Sequence, residues 1–387
     1  MIAIVVVGYN RPDCIQRLLS NLSDCNYDGD KIDLIISIDK GERQSEIINI
    51  ADSYKWGCGD KRVRAFKEKQ GLRTHIFSCG ELTKSYDAVI LLEDDILVSR
   101  DFYRYAKSAL SFYGDDERIA GISLYKHRNN VSGCRYFEPC DNGSDAFLIQ
   151  YAQSWGQCWN KRMWGEFYVW YSEQEDSIFV NKSLPSYLRQ WKSSWLKYNI
   201  AFCILQEKYF VYPYTSLSTN CSEVGEHATV GYADYQVPIL YGSKEYTFFG
   251  YERCVRYDGF FERNDILDSI HKKYGGKTVM DLFGRKNDYG DAQYLITVQP
   301  KPYQIIDSYS LSLRPHEQNV ALKVHGNGIY VYNLLKPGRT PKYYKNKIAR
   351  YDLRDYPVHM ALSVFLSRYV TWLSSGICAR FKRLFRL

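Results

Sequence analysis

Two apolar patterns alternate along the first third of the chain. Short unbroken runs occur at Ile2-Ala3-Ile4-Val5-Val6-Val7, at Ile32 to Ile38 and at Ala88-Val89-Ile90-Leu91-Leu92. Runs of branched side chains at this length are strands buried on both faces. Between them the apolar positions fall at helical spacing. Ile15, Leu18, Leu19 and Leu22 predict a helix over residues 13–22, and Ile47, Ile48, Ile50, Ala51 and Tyr54 predict another within 42–58. A short strand is expected near 63–66, a further helix between His75 and the third run, and a helix opening at Arg100. This β-α-β-α order predicts an α/β fold with a doubly wound, mostly parallel sheet.

Chemistry gathers where these strands end. The third run stops at Glu93-Asp94-Asp95, the second at Asp39-Lys40-Gly41, and the first at Gly8-Tyr9-Asn10-Arg11-Pro12. In such sheets the carboxyl ends of the strands share one rim, where ligands bind. Three adjacent carboxylates on a buried strand repel one another and resist desolvation, so they call for a cation. Mg²⁺ or Mn²⁺, bound through oxygens and shared with a phosphate, meets that need. Most acidic triplets are surface turns, and the apolar run leading in sets this one apart. Arg11 and Arg73 are placed to meet a base or phosphate, with no GxGxxG or GxxxxGK[ST] loop to do so.

The stretches Val5 to Pro12, Ile36 to Gly41 and Leu91 to Phe102 resemble the successive motifs of GT-A-fold glycosyltransferases. The likeness points to the N-acetylglucosaminyltransferase I family and to bacterial, family 2-like enzymes of surface-polysaccharide synthesis. It covers roughly residues 1–235. The resemblance implies a metal-dependent, inverting transferase moving a hexosyl or N-acetylhexosaminyl group from a nucleotide-sugar, a UDP-sugar above others. It further implies Asp95 as metal ligand, Asp94 facing the sugar-nucleotide, Glu93 supporting the donor sugar, and Asp39 and Arg11 at the uridine end. Arg73 is a helper at the diphosphate.

The middle of the chain extends the likeness. Ser154-Trp155-Gly156 leading to Trp159 and Trp164 resembles the bacterial acceptor-side turn, in which Trp155 and Gly156 meet a pyranose face. Trp159 and Trp164 serve equally well as core. Relatives carry an Asp beside a tryptophan as catalytic base, but the matching Trp191 to Lys197 segment holds no carboxylate. Glu226, Glu223 and Asp176 are the candidate replacements, and His227 is a candidate contact to diphosphate or metal. A non-catalytic carbohydrate-binding protein and a sugar nucleotidyltransferase are the rival readings.

Composition adds less. The net charge of +7 favours phosphates, nucleotides or an anionic membrane, and no basic stripe suggests nucleic acid. Eleven cysteines, an odd number without a CxxC pair, point to reduced thiols and a cytoplasmic setting, and the N-terminus carries no leader pattern. Residues 236–340 form an expected accessory region, with a helix at 264–274, a short helix at 277–284 and a hairpin turn at Asn327-Gly328. Residues 341–387 are expected to hold a linker and a basic amphipathic helix. That helix would lie on the inner face of the cell membrane, near a glycan or lipid-linked glycan acceptor, or else pack on its own domain or in a homodimer.

Overall fold

The computed structural model describes residues 1–133, 135–221, 235–342 and 351, and in the last helix residues 362, 363, 365–367, 369 and 370. The first half alternates as expected: β1 (Ile2–Gly8), α1 (Pro12–Ser23), β2 (Asp33–Ile38), α2 (Gln44–Ser53), β3 (Lys61–Ala65), α3 (Leu72–Gly80), β4 (Ala88–Glu93), β5 (Ile96–Val98) and α4 (Phe102–Tyr113). There follow β6 (Ile119–Ser123), the short β7 (Asn129–Asn130) and β8 (Arg135–Tyr136), β9 (Ala146–Ile149), β10 (Gln157–Asn160), α5 (Lys161–Ser172), α6 (Leu196–Leu205), β11 (Tyr209–Pro213), β12 (Ser218–Asn220) and β13 (Arg256–Tyr257). The last part holds α7 (Leu267–Tyr274), β14 (Thr278–Met280), β15 (Tyr294–Thr297), β16 (Tyr303–Tyr309), α8 (His316–Ala321) and β17 (Ile329–Pro337).

The main sheet has nine strands in the order β13-β9-β11-β6-β10-β4-β1-β2-β3. Strands β1 to β4 are mutually parallel, and β10 runs antiparallel between β4 and β6. This is an α/β sheet, parallel over the half that carries the strand-end carboxylates. The apolar runs lie at its centre: Ile4, Val5, Val6, Ile36, Val89, Ile90, Leu91 and Leu92 are fully buried. Burial on both faces explains why the runs lack alternation. Gly8 is required at the exit of β1, because a Cβ there would lie 2.6 Å from the Ile15 side chain of α1.

Asp101, the spaced aspartate of the third motif, is a buried clamp. It accepts from the Ser243 and Tyr246 hydroxyls at 2.6 and 2.7 Å, holding the 243–246 segment across α4. That segment continues into β13, and Cys254, Val255, Tyr257 and Phe261 belong to the main core. A second core, built on Met280, Leu282, Ile296, Ile329 and Val331, fills a four-stranded sheet ordered β14-β15-β17-β16.

Two local expectations are corrected. The stretch 277–284 is not a helix: Thr278–Met280 pairs parallel with β15, and the Asp281 carboxylate then accepts from the Arg285 amide to turn the chain. Asn327-Gly328 closes no hairpin, because β17's antiparallel partner β16 reaches it by way of α8. Tyr209 to Asn220 is two strands: β11 lies in the main sheet, while β12 pairs with β5 in a separate ribbon.

Candidate functional site

The register of the parallel strands brings the candidate residues to one rim. Val7 pairs with Glu93 and Gly8 with Ile38, so the residues that follow β1, β2 and β4 emerge side by side. Asn10 adopts a left-handed conformation (φ 54°), which a short amide side chain tolerates. Its Oδ1 accepts from the Arg43 amide at 3.1 Å, fixing the turn. Pro12 then opens α1. Between these two, Arg11 is turned back onto the acidic triplet.

Arg11 spans two of the three acids. It donates Nη2–H to Asp94 Oδ1 and Nη1–H to Asp95 Oδ2, the latter at 3.2 Å. The Tyr9 amide donates to Asp94 Oδ2 at 3.2 Å. Burial pushes the Asp94 carboxyl up to about 7, against the pull of Arg11. Glu93 is driven well above the usual range by burial and then by the charges of Asp95 and Asp94. Burial works against the Arg11 cation, yet Asp94 and Asp95 hold its pKa above the ordinary value. Within the triplet, Arg11 thus bonds Asp94 and Asp95 but not Glu93.

Asp95 carries the unmet demand. Its Oδ1 is buried without a hydrogen-bond partner. A buried carboxylate oxygen left alone costs free energy, about 1–3 kcal/mol or more. The backbone at Asp95 is fixed, because its carbonyl accepts from the Cys221 amide at 2.8 Å as β12 pairs with β5. Among the described residues no group of three or more His, Cys, Asp or Glu side chains is placed to hold a metal ion. The donor set nevertheless fits Mg²⁺ or Mn²⁺, which commonly take one or two carboxylates and complete their shell with water and phosphate. Asp95, with Asp94 beside it, is the pair that would hold such an ion.

Asp39 sits on the same rim but is already engaged. Its Oδ1 accepts from the Lys40 and Gln70 amides, both at 2.8 Å, and its Oδ2 from the Gly71 amide at 2.9 Å. It thereby fixes the turn that leads into α3, whose first turn carries Arg73. Arg73 reaches the 192–198 segment: Nη2 donates to the carbonyls of Lys192 and Ser194, and the guanidinium lies 5.0 Å over the Tyr198 ring. Tyr198 in turn donates to Asp176 Oδ1, as does Lys197 Nζ at 2.7 Å.

Asp176 is thus brought to the tryptophan-flanked 191–197 segment that has no acid of its own. Its hydrogen bonds from Lys197 and then Tyr198 hold its carboxyl below the usual range. Lys197 and Tyr198 are neighbours of Asp176 that sequence reading passed over, and nothing in their local pattern marked them. Glu223, Glu226 and His227 lie outside the described residues.

Trp155 packs edge-on against Tyr125 (4.9 Å between centroids) and tilts against Tyr235 (4.7 Å). Gly156 has φ +89°, a conformation that excludes a side chain without strain. Trp159 and Trp164 are core: their rings meet at 5.0 Å and both are buried. Gln157 was also passed over. It is fully buried opposite Leu91, and neither end of its amide has a partner. Its position directly after Trp155-Gly156 was the available signal.

No protein-family model matches the chain, and no curated protein matches it. Among solved structures the chain is similar over 41% of its length to the mannosyltransferase PcManGT from Pyrobaculum calidifontis, in complex with GDP-Man and Mn²⁺ (14% identity, 44% of that chain, TM-score 0.30). It is similar over 60% of its length to S. aureus TarS 1–349 in complex with UDP-GlcNAc (12% identity, 61% of that chain, TM-score 0.36). A second S. aureus TarS 1–349 structure is covered to 60%, at 11% identity over 57% of this chain and TM-score 0.36. The chain spans less than two thirds of each, and none overlaps closely enough to transfer a substrate.

Proposed function

We propose that this protein is a glycosyltransferase that takes a sugar from a nucleotide-sugar donor, a UDP-sugar in the first instance, and passes it to a hydroxyl of a glycan. The observation that carries the reading is the strand-end cluster in which Arg11 answers Asp94 and Asp95 while Asp95 Oδ1 stays unpartnered. A site short of positive charge, at the carboxyl rim of a parallel sheet, suits a ligand that arrives with its own cation. A nucleoside diphosphate does so. The divalent ion, when bound, supplies neutralisation of the departing diphosphate.

The chain's residues have these roles. Asp95 and Asp94 hold the cation, and Glu93, its carboxyl pushed up by burial, supports the donor sugar. Arg73 and the turn into α3 that Asp39 fixes bound the nucleotide. Trp155 and Gly156 form the wall against which an acceptor ring lies. In a single displacement, the acceptor oxygen bonds to the anomeric carbon as the bond to the diphosphate breaks, which inverts the centre. The hydroxyl proton passes to a carboxylate, for which Asp176 is the candidate among the described residues. A donor-binding protein without turnover is the second reading, favoured by the ion pair that ties Asp176 to Lys197.

The test is calorimetric binding of UDP-sugars with and without Mn²⁺, followed by release of UDP in the presence of glycan acceptors. Asp95→Ala should abolish metal-dependent donor binding. Unchanged affinity in that variant sinks the proposal. Binding without any UDP release leaves the second reading.

A further inference from the structure

The stretch after β6 carries two cations that no carboxylate bonds. Arg128 is exposed and Lys126 half-buried, and neither forms an ion pair among the described residues. Burial lowers the Lys126 ammonium, and Glu138 and Asp141 pull the other way without bonding it. The Arg128 guanidinium lies 5.9 Å over the ring of Tyr136, which is 55% exposed. The main chain beneath is fixed, because the Arg128 carbonyl accepts from the Phe137 amide at 2.7 Å and Asn129 pairs with Tyr136 between β7 and β8. A guanidinium so placed has its donors free for a two-pronged grip on a phosphate or carboxylate.

An exposed arginine is ordinarily just solvated, and its surroundings set this one apart. Tyr125 joins it to the Trp155 turn: the ring meets Trp155 edge-on at 4.9 Å, and the hydroxyl donates to the Tyr235 carbonyl at 2.9 Å. Burial and then Tyr235 push that hydroxyl up, and Arg128 pulls it down. Tyr235 is 42% exposed, its ring tilted 43° against Trp155. The same segment is tied to the acidic rim. The Gln236 side chain donates to the Cys221 carbonyl at 3.2 Å, and the Cys221 amide to the Asp95 carbonyl at 2.8 Å. Aromatic faces suited to a pyranose ring thus lie beside a group suited to an anion. A neutral glycan laid here would desolvate the cations without answering them, whereas an anionic one meets both features.

We infer that the Trp155/Tyr235 face and Arg128 together bind an anionic glycan, its rings on the aromatics and its phosphate or carboxylate held by Arg128, with Lys126 adding charge. The inference names the class of acceptor, and rests on the proposed function only for the glycan's being an acceptor.

The test titrates the full chain calorimetrically, without nucleotide, with maltohexaose, a galacturonic acid hexamer, a phosphorylated mannopentaose and poly-glutamate. At least one anionic glycan should bind about tenfold more tightly than maltohexaose, the scale of one charge-assisted pair, and lose that gain in high salt. Which of the two binds better tells carboxylate from phosphate. Arg128→Gln should remove the gain, Arg128→Lys should keep part of it, and Tyr235→Ala should weaken every glycan alike. An unchanged melting temperature in each variant reports an intact fold. The inference is overturned by equal affinity for neutral and anionic glycans, by no binding of either, or by an anionic preference that survives Arg128→Gln. Poly-glutamate binding as tightly as the glycans also overturns it, because the surface would then read charge alone. Anionic-glycan binding by a chain that takes up no UDP-sugar leaves the inference standing and removes the glycosyltransferase reading. UDP release onto maltohexaose, untouched by Arg128→Gln, does the reverse.

Discussion

Arg11 and Asp94 stand 83 positions apart in the chain, and the guanidinium of one donates directly to the carboxylate of the other. The contact joins the first loop of the sheet to the end of its most buried acidic strand. Asp94 is 2% exposed, so its charge has no recourse to water and depends on this partner.

Replacing Arg11 with Met should therefore destabilise the fold by about 3 kcal/mol, the scale of leaving a buried charge alone. Divalent cation should then restore more of the melting temperature in the variant than it adds to the parent, since the carboxylates are left without their internal cation. Thermal unfolding with and without Mn²⁺ measures both. Equal metal-induced shifts in the two proteins would refute the electrostatic account.

Asp39 answers three backbone amides, two of them at the entry to α3. Asp39→Ala should cost about 1–3 kcal/mol, the scale of leaving buried backbone amides without their acceptor. It should also loosen donor binding through displacement of Arg73. Hydrogen exchange at the Gln70 and Gly71 amides reads the local effect. Unchanged protection there would show that the carboxylate does not hold the turn.

Asp176→Asn should lower turnover at least a hundredfold while leaving donor affinity within about twofold, the pattern of a lost proton acceptor. Steady-state kinetics and calorimetry separate the two quantities. A rise in the donor dissociation constant with turnover intact would make Asp176 a positioning residue acting through Lys197 and Tyr198.

The joint between the two bodies should respond to pH. Glu317 of α8 is buried and accepts from the Tyr257 hydroxyl of β13 at 3.1 Å, and burial raises its carboxyl to about 7 from 4.5. The folded state thus binds a proton that the unfolded chain has already released between those values. Stability must fall as pH rises from 4.5 through 7, by at most about 3 kcal/mol for this group. Glu317→Gln should flatten that slope and gain stability at pH 8 relative to the parent, as read by melting temperature at pH 5 and pH 8. A variant with the parent's slope would exclude Glu317 as its source.

The sequence alone determined the α/β class, the parallel half of the sheet and the convergence of Arg11, Asp39 and the 93–95 acids on one rim. Each followed from local information: strands buried on both faces must be apolar throughout, and parallel connection places their carboxyl ends together. The expected helix at 277–284 failed because Thr278, Val279 and Met280 pair with a strand that lies beyond the window in which periodicity is read. The same limit applies to the site. That Arg11 pairs with the acids, that Asp39 is spent on the entry to α3, and that Asp176 meets Lys197 and Tyr198 are contacts between distant segments. Only tertiary structure decides such contacts, because hydrogen-bond geometry and desolvation are set by what folding brings near and not by neighbours in sequence.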